Sequence, residues 1–528
     1  MKRLLKGTLT LVMLLMFVLL PKTEASNGTA ELVIFHTNDM HARVSSKDDN
    51  GQSIGLAEIS AAIMAVERKN PVTLWFDAGD TLHGTPRINV SQGEAMVKLL
   101  NETTLDAMVP GNHDYNYGAE QLNELGKKLD ALLLSANAVQ INTDKYIYKP
   151  YQIYKLPNNI RVGVFGLTTP ETIYKSNPNN TIGIDFLNPI EQAQIMVKKL
   201  RSKCDVLVAV THIGLDKNSK FTSNMIAEKA AGIDLIIDGH SHDTLPEGLV
   251  VNDTLIVQTG WHGYRLGQVN ISLEDHKIVT KKAQLLDAKD VAALAPKPDP
   301  NVKKALAAID RRNAKAFNAV VAQSNRRMSS AQVIVRRQES ELGNLATDAF
   351  IWKTGADIAV MNGGGLRADL PAGDVRRIDV MSIFPFGNTV QVVNIKGKTI
   401  KEMLEHSVSV YPSSFEGFLS VSGMTFSFNP SKPVGQRVSD IRINKEMLDN
   451  DKTYKLASMD FLFVGGDGYE MFKDLEVIGK YENAEEVVAD YLKKIGIGKV
   501  DVGRIKIRNE VEMPKETTVE QMQEKEAA

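Results

Sequence analysis

The sequence predicts an α/β protein with two domains, and three observations support this prediction. The chain has 528 residues, which is more than one hydrophobic core usually organises. Short apolar, β-rich runs alternate with helical patterns along much of the chain. A proline-rich stretch, 292–300, then interrupts this alternation and separates two such regions.

The first residues have the composition of a secretory signal peptide. Three basic residues among the first six precede the apolar run 11–20, and small residues, Ala25 and Ser26, follow it. The run is shorter than the roughly 20 residues that a membrane-spanning helix needs. We therefore expect cleavage of residues 1–25 and a secreted protein, extracellular or periplasmic, without a stable membrane anchor. An uncleaved anchor is the alternative.

Composition and charge exclude several classes of protein. The formal net charge is -2, so the chain has no broad attraction to nucleic acid polymers or to anionic membranes. Cys204 is the one cysteine, and it opens an apolar run, which predicts a buried structural thiol and no intrachain disulfide. Nothing in the sequence indicates an obligate protein partner.

The first domain is predicted over 30–285. Its β-rich runs are 32–35, 72–76, 161–165, 206–210 and 235–237, with helical patterns at 54–69 and 190–200. Because these runs are almost continuously apolar, they predict sheets that are buried on both faces.

A linker and a second domain follow. Residues 286–320 form the predicted linker, in which Val302 to Phe317 is a basic, alanine-rich helix. The second α/β domain is predicted over 321–508. The last residues, 509–528, lack apolar periodicity and are expected to be a solvated polar tail.

Side chains that bind metals follow the strands of the first domain. Carboxyl ends of strands are where α/β sheets place their sites. Two divalent ions about 3.5–4 Å apart need a shared carboxylate and a mixture of imidazole and oxygen ligands. We predict that Asp80 bridges two ions, zinc, manganese or similar. The other predicted ligands are Asp39, His41 and His242 for one ion, and Asn112, His212 and His240 for the second.

The remaining histidines of this region have more ordinary interpretations. His83 is close in sequence to Asp80, and we interpret it as a neighbour of the ligands. His262 either borders the cleft or supports its glycine-rich loop. His36 is expected to be packed in a strand, and His276 to be exposed in a charged turn.

The order of these motifs resembles the calcineurin-like metallophosphoesterases. Those enzymes carry five motifs that this chain has in the same order: Asp-x-His at 39–41, Gly-Asp at 79–80, Gly-Asn-His-Asp at 111–114, a lone His at 212 and Gly-His-x-His at 239–242. The second half resembles the substrate domain of the bacterial secreted 5'-nucleotidase family, whose members include UDP-sugar hydrolases and 2',3'-cyclic-nucleotide phosphodiesterases. The resemblance implies an N-terminal β-sandwich flanked by helices, joined by a linker helix to a C-terminal α/β substrate-binding domain.

The resemblance also implies a nucleotide pocket in the second domain. Arg336 matches an arginine near phosphate or ribose, and the neighbouring Arg337 is the alternative. Two aromatic rings can stack a nucleobase for about 1–3 kcal/mol each, and arginines bind phosphate bidentately. The other implied contacts are the polar residues Asn362 and Arg367, the base-stacking pair Phe386 and Phe461, and Asn388 and Asp467 at base and ribose.

The expected activity is hydrolysis of nucleoside 5'-monophosphates by attack of metal-bound water, with His113 stabilising the developing charge or aiding departure of the leaving group. Many 5'-nucleotidases have aspartate three residues after this histidine, whereas this chain has Asn116, as in some cyclic-nucleotide phosphodiesterases. The alternatives are a 2',3'-cyclic-nucleotide phosphodiesterase and 3'-nucleotidase or a UDP-sugar hydrolase, alone or as a multifunctional enzyme. A non-catalytic nucleotide-binding protein is the third hypothesis.

Overall fold

The computed structural model describes residues 29–217 and 219–508. The predicted signal peptide, 1–25, and the predicted tail, 509–528, lie outside these residues. Within the described ranges, no helix combines the length and the apolar character that crossing a membrane requires.

The first half of the described chain contains most of the strands. In chain order they are Thr29–Thr37 (β1), Thr73–Asp77 (β2), Ala107–Met108 (β3), Leu132–Leu133 (β4), Ala138–Gln140 (β5), Tyr151–Lys155 (β6), Arg161–Thr168 (β7), Ile184–Phe186 (β8), Val206–His212 (β9), Leu235–Ile237 (β10), Leu249–Val251 (β11), Thr254–Val257 (β12), Leu266–Glu274 (β13) and Lys277–Leu286 (β14). The helices are Leu56–Glu67 (α1), Pro86–Asn89 (α2), Glu94–Leu100 (α3), Ala119–Lys128 (α4), Thr172–Lys175 (α5), Pro189–Leu200 (α6), Ser223–Lys229 (α7), Ala288–Leu294 (α8) and Pro300–Phe317 (α9).

Twelve of these strands form the β-sandwich that the resemblance implied, and β5 pairs separately with β8. One sheet has the order β14-β13-β1-β2-β3-β4, and the other has the order β11-β12-β10-β9-β7-β6. Ile34 of the first sheet and Val208 of the second lie in one buried cluster between the sheets. The adjacent Phe35 packs on the opposite face, against α1 and α3, whereas α6 and α7 cover the second sheet. Both faces of each sheet are therefore buried, which explains the almost continuous apolar runs.

The parallel strands position the site. β1, β2, β3 and β4 are parallel neighbours in one sheet. β7, β9, β10 and β12 are parallel neighbours in the other. The loops that leave the carboxyl ends of these strands therefore gather at one edge of the sandwich.

The second half is an α/β unit with its own buried clusters. Its strands are Val320–Ser324 (β15), Ile358–Asn362 (β16), Gly373–Arg376 (β17), Thr389–Lys396 (β18), Leu419–Ser422 (β19), Met424–Phe428 (β20), Val438–Ile443 (β21), Glu446–Met447 (β22), Thr453–Met459 (β23), Val477–Asn483 (β24) and Ile505–Ile507 (β25). Its helices are Gln332–Val335 (α10), Glu341–Thr354 (α11), Arg377–Ile383 (α12), Gly397–Ser407 (α13), Asp460–Phe463 (α14) and Ala484–Ile495 (α15). The central sheet, β19-β16-β23-β18-β24, has α11 and α15 on one face and α13 on the other.

The long helix of the predicted linker packs onto the first half. Asp299 caps α9 by accepting from the backbone N–H of Asn301, and it also accepts from the hydroxyl of Ser60 in α1. Val302 and Ile309 are buried in the cluster that contains α1 and α3. Only residues 318–319 then separate α9 from β15.

Candidate functional site

The seven predicted metal ligands lie at the carboxyl ends of strands from both sheets. His212 is the last residue of β9, and the other six occupy the loops after β1, β2, β3 and β10. Positive φ angles are uncommon for residues other than glycine and concentrate at functional sites, where the surroundings hold them. Five of the seven have them: Asp39 (49°), His41 (43°), Asp80 (54°), His240 (77°) and His242 (60°).

Asp39, His41 and His242 form the first group of potential ligands. Their ligand atoms lie within 4.8 Å of one another. The Nε2 atoms of His41 and His242 are 3.3 Å apart, and Nε2 of His242 is 3.4 Å from Oδ1 of Asp39. Two imidazole nitrogens directed at one carboxylate are a donor set that suits a divalent transition metal.

Asp39, Asp80 and His212 form the second group. Nε2 of His212 is 3.3 Å from Oδ2 of Asp80 and 3.3 Å from Oδ1 of Asn112. Nδ1 of His212 donates to the carbonyl of Ala78 at 2.7 Å, which turns Nε2 toward the group. Nδ1 of His240 lies 2.8 Å from the same Asn112 oxygen, so this amide oxygen faces two imidazoles.

The electrostatics of the two groups favour cations. Burial disfavours a charged His212 ring, but the carboxylates of Asp80 and Asp39 outweigh burial and raise the pKa of His212 to about 10. Such a buried excess of negative charge fits the divalent ions that the sequence predicts. Asp39 belongs to both groups, so the bridging role of Asp80 stays a prediction.

The carboxylate of Asp114 joins the two loops that carry Asp80 and Asn112. One oxygen accepts from the backbone N–H groups of Thr81 and Leu82, and the other accepts from those of Asp80 and Gly111. We did not anticipate this role from the sequence. The signal was present, however, because Asp114 is the last residue of the Gly-Asn-His-Asp motif.

His113 and His83 share one partner, the amide of Asn116. Nδ2 of Asn116 is 3.1 Å from Nδ1 of each ring, and its Oδ1 accepts from the hydroxyl of Ser176. An amide NH2 group donates two hydrogen bonds, so both Nδ1 atoms are acceptors and both rings carry their proton on Nε2. His83 donates that proton to the carbonyl of Pro385 in the second half, 3.1 Å away.

A cavity of about 600 Å³ lies between the halves and brings most predicted site residues together. From the first half it contains Asp80, Asn112, His113, Asn116, His240 and His242. From the second half it contains Arg336, Asn362, Arg367, Phe386, Asn388, Phe461 and Asp467. Asp39, His41 and His212 lie beneath its surface, almost completely buried. Arg337 lies outside the lining and donates to Ser414, so Arg336 is the arginine of the pair that faces the cavity.

The two predicted base-stacking rings have different surroundings. The Phe386 ring lies nearly parallel to His83, 5.4 Å away, and 5.3 Å from His113. The guanidinium of Arg367 lies 5.6 Å from the centre of the same ring. Phe461 lies in the buried cluster around α13 and also contributes to the cavity wall. Stacking of a base between the two rings stays a prediction.

Asn362 and Asp467 hold each other in the cavity wall. Nδ2 of Asn362 donates to Asp467 at 2.7 Å, while Oδ1 of Asn362 is buried without a partner among the described residues. Burial raises the pKa of Asp467 to about 6. Both side chains therefore keep polar atoms available to a ligand.

Three charged residues of the cavity that the sequence analysis did not identify, Glu171, Lys175 and Glu416, make ion pairs there. Nε2 of His240 is 3.3 Å from the carboxylate of Glu171. Lys175 pairs with Glu416 of the second half at 3.3 Å. They occur in no motif that we used, and chain folding alone brings them together. The other histidines agree with their interpretations: His36 is buried in β1, and His276 is half exposed and pairs with Asp205.

Comparison with known proteins identifies one matching family model in each half of the chain. Residues 32–244 match the family model for calcineurin-like phosphoesterases, and residues 320–474 match the model for the 5'-nucleotidase C-terminal domain. The crystal structure of a 5'-nucleotidase precursor from Thermus thermophilus is 30% identical, with a TM-score of 0.79, and the match covers 91% of this chain and 100% of that one.

Two curated relatives are similar over nearly the same range. The snake venom 5'-nucleotidase of Crotalus adamanteus is 29% identical over 526 residues, which cover 89% of this chain and 87% of that protein. The trifunctional nucleotide phosphoesterase protein YfkN of Bacillus subtilis is 29% identical over 520 residues. That match covers 89% of this chain but 34% of YfkN, so the chain spans about a third of that relative.

Proposed function

The chain belongs to the 5'-nucleotidase family, with a calcineurin-like phosphoesterase domain in its first half, and we propose that it hydrolyses nucleoside 5'-monophosphates with two divalent cations. It is a metal-dependent phosphoester hydrolase, and its relatives are nucleotide hydrolases. We further propose that it is secreted and takes part in nucleotide catabolism outside the cytoplasm.

One observation carries the proposal: the same cavity contains predicted metal ligands of one half and predicted nucleoside contacts of the other. Asn112 and His240 contribute to its wall from the first half, and Phe386 and Asp467 from the second. A nucleotide has the matching polarity, because its phosphate is anionic and its base is flat and apolar on both faces.

The side chains of the cavity suit attack on phosphorus. When bound, two divalent cations supply Lewis-acid chemistry that favours ionisation of water and draws charge from phosphoryl oxygens. The hydrogen bond from Asn116 leaves the Nε2–H of His113 available to a phosphoryl or leaving-group oxygen. The backbone N–H of His113 donates to Asp80 at 2.7 Å, which positions the ring relative to the centre. Arg367 stays protonated, because burial lowers its pKa only to about 10.

Asn116 favours a second candidate activity. Because an amide carries no charge, it orients His113 without stabilising the imidazolium form. A cyclic diester has one negative charge on phosphate, whereas a monoester dianion has two. Hydrolysis of the diester therefore loses less electrostatic stabilisation when the His113 ring is neutral. Hydrolysis of 2',3'-cyclic nucleotides, alone or beside 5'-nucleotidase activity, is therefore the alternative, followed by UDP-sugar hydrolysis.

Hydrolysis of three substrates, with the products separated by chromatography, tests these proposals, because opening of a cyclic phosphate and cleavage of a UDP-sugar release no inorganic phosphate. The purified chain, with added Mn²⁺ or Zn²⁺, is assayed with AMP, 2',3'-cyclic AMP and UDP-glucose side by side. We expect the highest kcat/KM for AMP. A preference for either other substrate would replace the proposed activity with the corresponding alternative. Inertness toward all three, despite bound metal, would support a non-catalytic nucleotide-binding protein.

Two histidine variants provide a matched control. His113→Gln should lower kcat for AMP by roughly 10²–10⁴-fold, the usual contribution of a proton-transferring side chain. His276→Gln changes a half-exposed histidine that pairs with Asp205, and it should leave kcat within about twofold. Equal rates for the two variants would remove His113 from the mechanism.

Secretion has a separate test. The protein recovered from the medium or the periplasm should begin near residue 26 when its N-terminus is sequenced. A full-length chain retained in the membrane fraction would contradict the proposed cleavage.

A further inference from the structure

A group of three charged side chains, Lys175, Arg336 and Glu416, crosses from one half of the chain to the other in the cavity wall. Nη1 of Arg336 donates to one Glu416 oxygen at 2.6 Å. Nζ of Lys175, from α5 of the first half, donates to the other oxygen at 3.3 Å. We call these residues the charge bridge. Glu416 is therefore the single anion of the three, and two cations share its carboxylate.

The backbone holds the charge bridge in position. The carbonyl of Glu416 accepts from the N–H of Gly364, and the N–H of Phe415 donates to the carbonyl of Arg336. A side chain at position 364 would come within 2.9 Å of Cβ of Glu416, so this close approach needs glycine. Arg336 is 9% exposed, and its buried Nε has no partner within the described part of the chain. The guanidinium therefore keeps a donor for a ligand while Glu416 occupies another.

The charge bridge lies between the metal side and the nucleoside side of the cavity. Lys175 is one helical turn after Glu171, whose carboxylate contacts His240 of the metal centre. On the other side, Gly417 packs against Asp467 so closely that an added Cβ would lie 3.2 Å from that residue. With its terminal phosphoryl group at the metal centre and its base between the aromatic rings, a substrate would extend alongside the charge bridge in the cavity wall.

The charge of Glu416 is permanent at neutral pH. Burial alone would raise the pKa of Glu416, but the charges of Lys175 and Arg336 outweigh burial and hold this pKa well below its usual range. In a monophosphate, the group that passes the charge bridge is the neutral ribose. In a diphosphate it is a second, anionic phosphoryl group, which would meet a carboxylate where two cations are already paired.

We propose that Glu416 is a specificity-determining residue that selects nucleotides with a single phosphoryl group over nucleoside diphosphates and their sugar esters. This inference rests on the proposed nucleotide hydrolysis and names the substrate class of that same cavity. The preferred substrates are 5'-monophosphates and cyclic monophosphates, and the disfavoured ones are ADP and UDP-sugars.

Two variants with opposite expected effects test the inference. Glu416→Gln frees both cations and should raise the kcat/KM ratio of ADP to AMP by roughly tenfold, the effect of one charge removed near an anionic group in a partly solvated site. Lys175→Met removes a cation and should lower the same ratio. The exposed carboxylate of Glu124 gives the matched control, because Glu124→Gln makes the same change in net charge and should leave the ratio unchanged.

A merely structural charge bridge gives a different result. If Lys175 and Glu416 only hold the two halves together, both variants should change the rates with ADP and AMP by the same factor and in the same direction. That outcome, or an unchanged ratio in Glu416→Gln, would overturn the inference.

Binding measurements separate this inference from the proposed function. Calorimetry gives Kd for two hydrolysis-resistant ligands, α,β-methylene-ADP and the methylene phosphonate analogue of AMP, with the metal-loaded wild type and Glu416→Gln. If Glu416→Gln binds the diphosphate analogue more tightly than the wild type does, and the AMP analogue with unchanged Kd, the result supports the role of Glu416. This holds even if the wild type releases no phosphate from AMP. Equal gains, or none, contradict it even if AMP is a good substrate.

Discussion

Replacing Asn116 with aspartate tests the hydrogen bonds that orient His113. In the native chain the Asn116 amide donates to Nδ1 of both His113 and His83. A carboxylate can only accept, so both rings must move their proton to Nδ1 or become doubly protonated. His83 cannot simply change tautomer, because its Nε2 faces the carbonyl of Pro385 at 3.1 Å. Asn116→Asp therefore favours imidazolium at this place.

The size of the effect follows from the distance. With the new oxygens about 3–4 Å from each ring, one charge pair at an effective dielectric constant near 20 is worth about 4 kcal/mol. That is an upper limit of about 3 pKa units, and sharing between two rings reduces it to about 1–2 units for each. Burial and the charge of Arg367 now hold the pKa of His113 well below its usual range, so the shift is upward.

The assay is the pH dependence of kcat/KM for AMP and for 2',3'-cyclic AMP. An imidazolium stabilises the more highly charged monoester transition state more strongly, so the ratio of AMP to cyclic AMP hydrolysis should rise by roughly tenfold below the new pKa. Asn180→Asp is the control, because this variant places a carboxylate in the same wall of the cavity but away from the two rings. The native Asn180 side chain donates to the backbone carbonyl of Asn116 and not to an imidazole. If Asn116→Asp moves neither the profile nor the ratio, Asn116 does not govern the choice between monoester and diester.

Three further predictions concern stability, metal and pH. In Asp114→Asn, two of the four backbone N–H groups that the carboxylate binds would face an amide donor. The variant should lose roughly 2–6 kcal/mol of unfolding free energy, measured in denaturant. The measurement is made at pH 8.5, because burial and Asp80 raise the pKa of the Asp114 carboxyl to about 7. EDTA should abolish phosphate release and lower Tm, because the buried carboxylates of Asp39 and Asp80 then repel each other. Added Mn²⁺ should restore both the activity and Tm. Activity that survives complete metal removal would refute the proposed metal centre. Because Asp467 gains a proton as pH falls through about 6, KM for AMP should rise there in the wild type and stay flat in Asp467→Asn, a difference that steady-state kinetics checks directly.

The proximity of the proposed metal ligands could be predicted from the sequence because these residues are local features of strand ends. Asp39 and His41 follow β1, and His240 and His242 follow β10, as the apolar runs indicated. Parallel strands bring their carboxyl ends together, so position after a strand was enough to predict proximity. The bridging carboxylate was harder to predict from the sequence, because the choice between Asp39 and Asp80 depends on side-chain directions and not on spacing.

Contacts between the halves could not be predicted from the sequence. Lys175 and Glu416 are single charged residues, 241 positions apart, without a repeating pattern. The choice between Arg336 and Arg337 depended on the direction that each side chain takes after the end of α10. The buried packing of α9 against α1 was also missed, since its basic, alanine-rich sequence resembles that of a solvated linker.

The hydrogen-bond chain from His113 through Asn116 and His83 ends on the carbonyl of Pro385, which also accepts from Asn89. Pro385 directly precedes Phe386, one of the two predicted base-stacking residues. The predicted base-stacking residue and the proposed catalytic histidine are thus connected through hydrogen bonds and one peptide bond. A chimera that took its second half from a relative would inherit new contacts at His83 as well as a new pocket, so the two halves are not interchangeable modules.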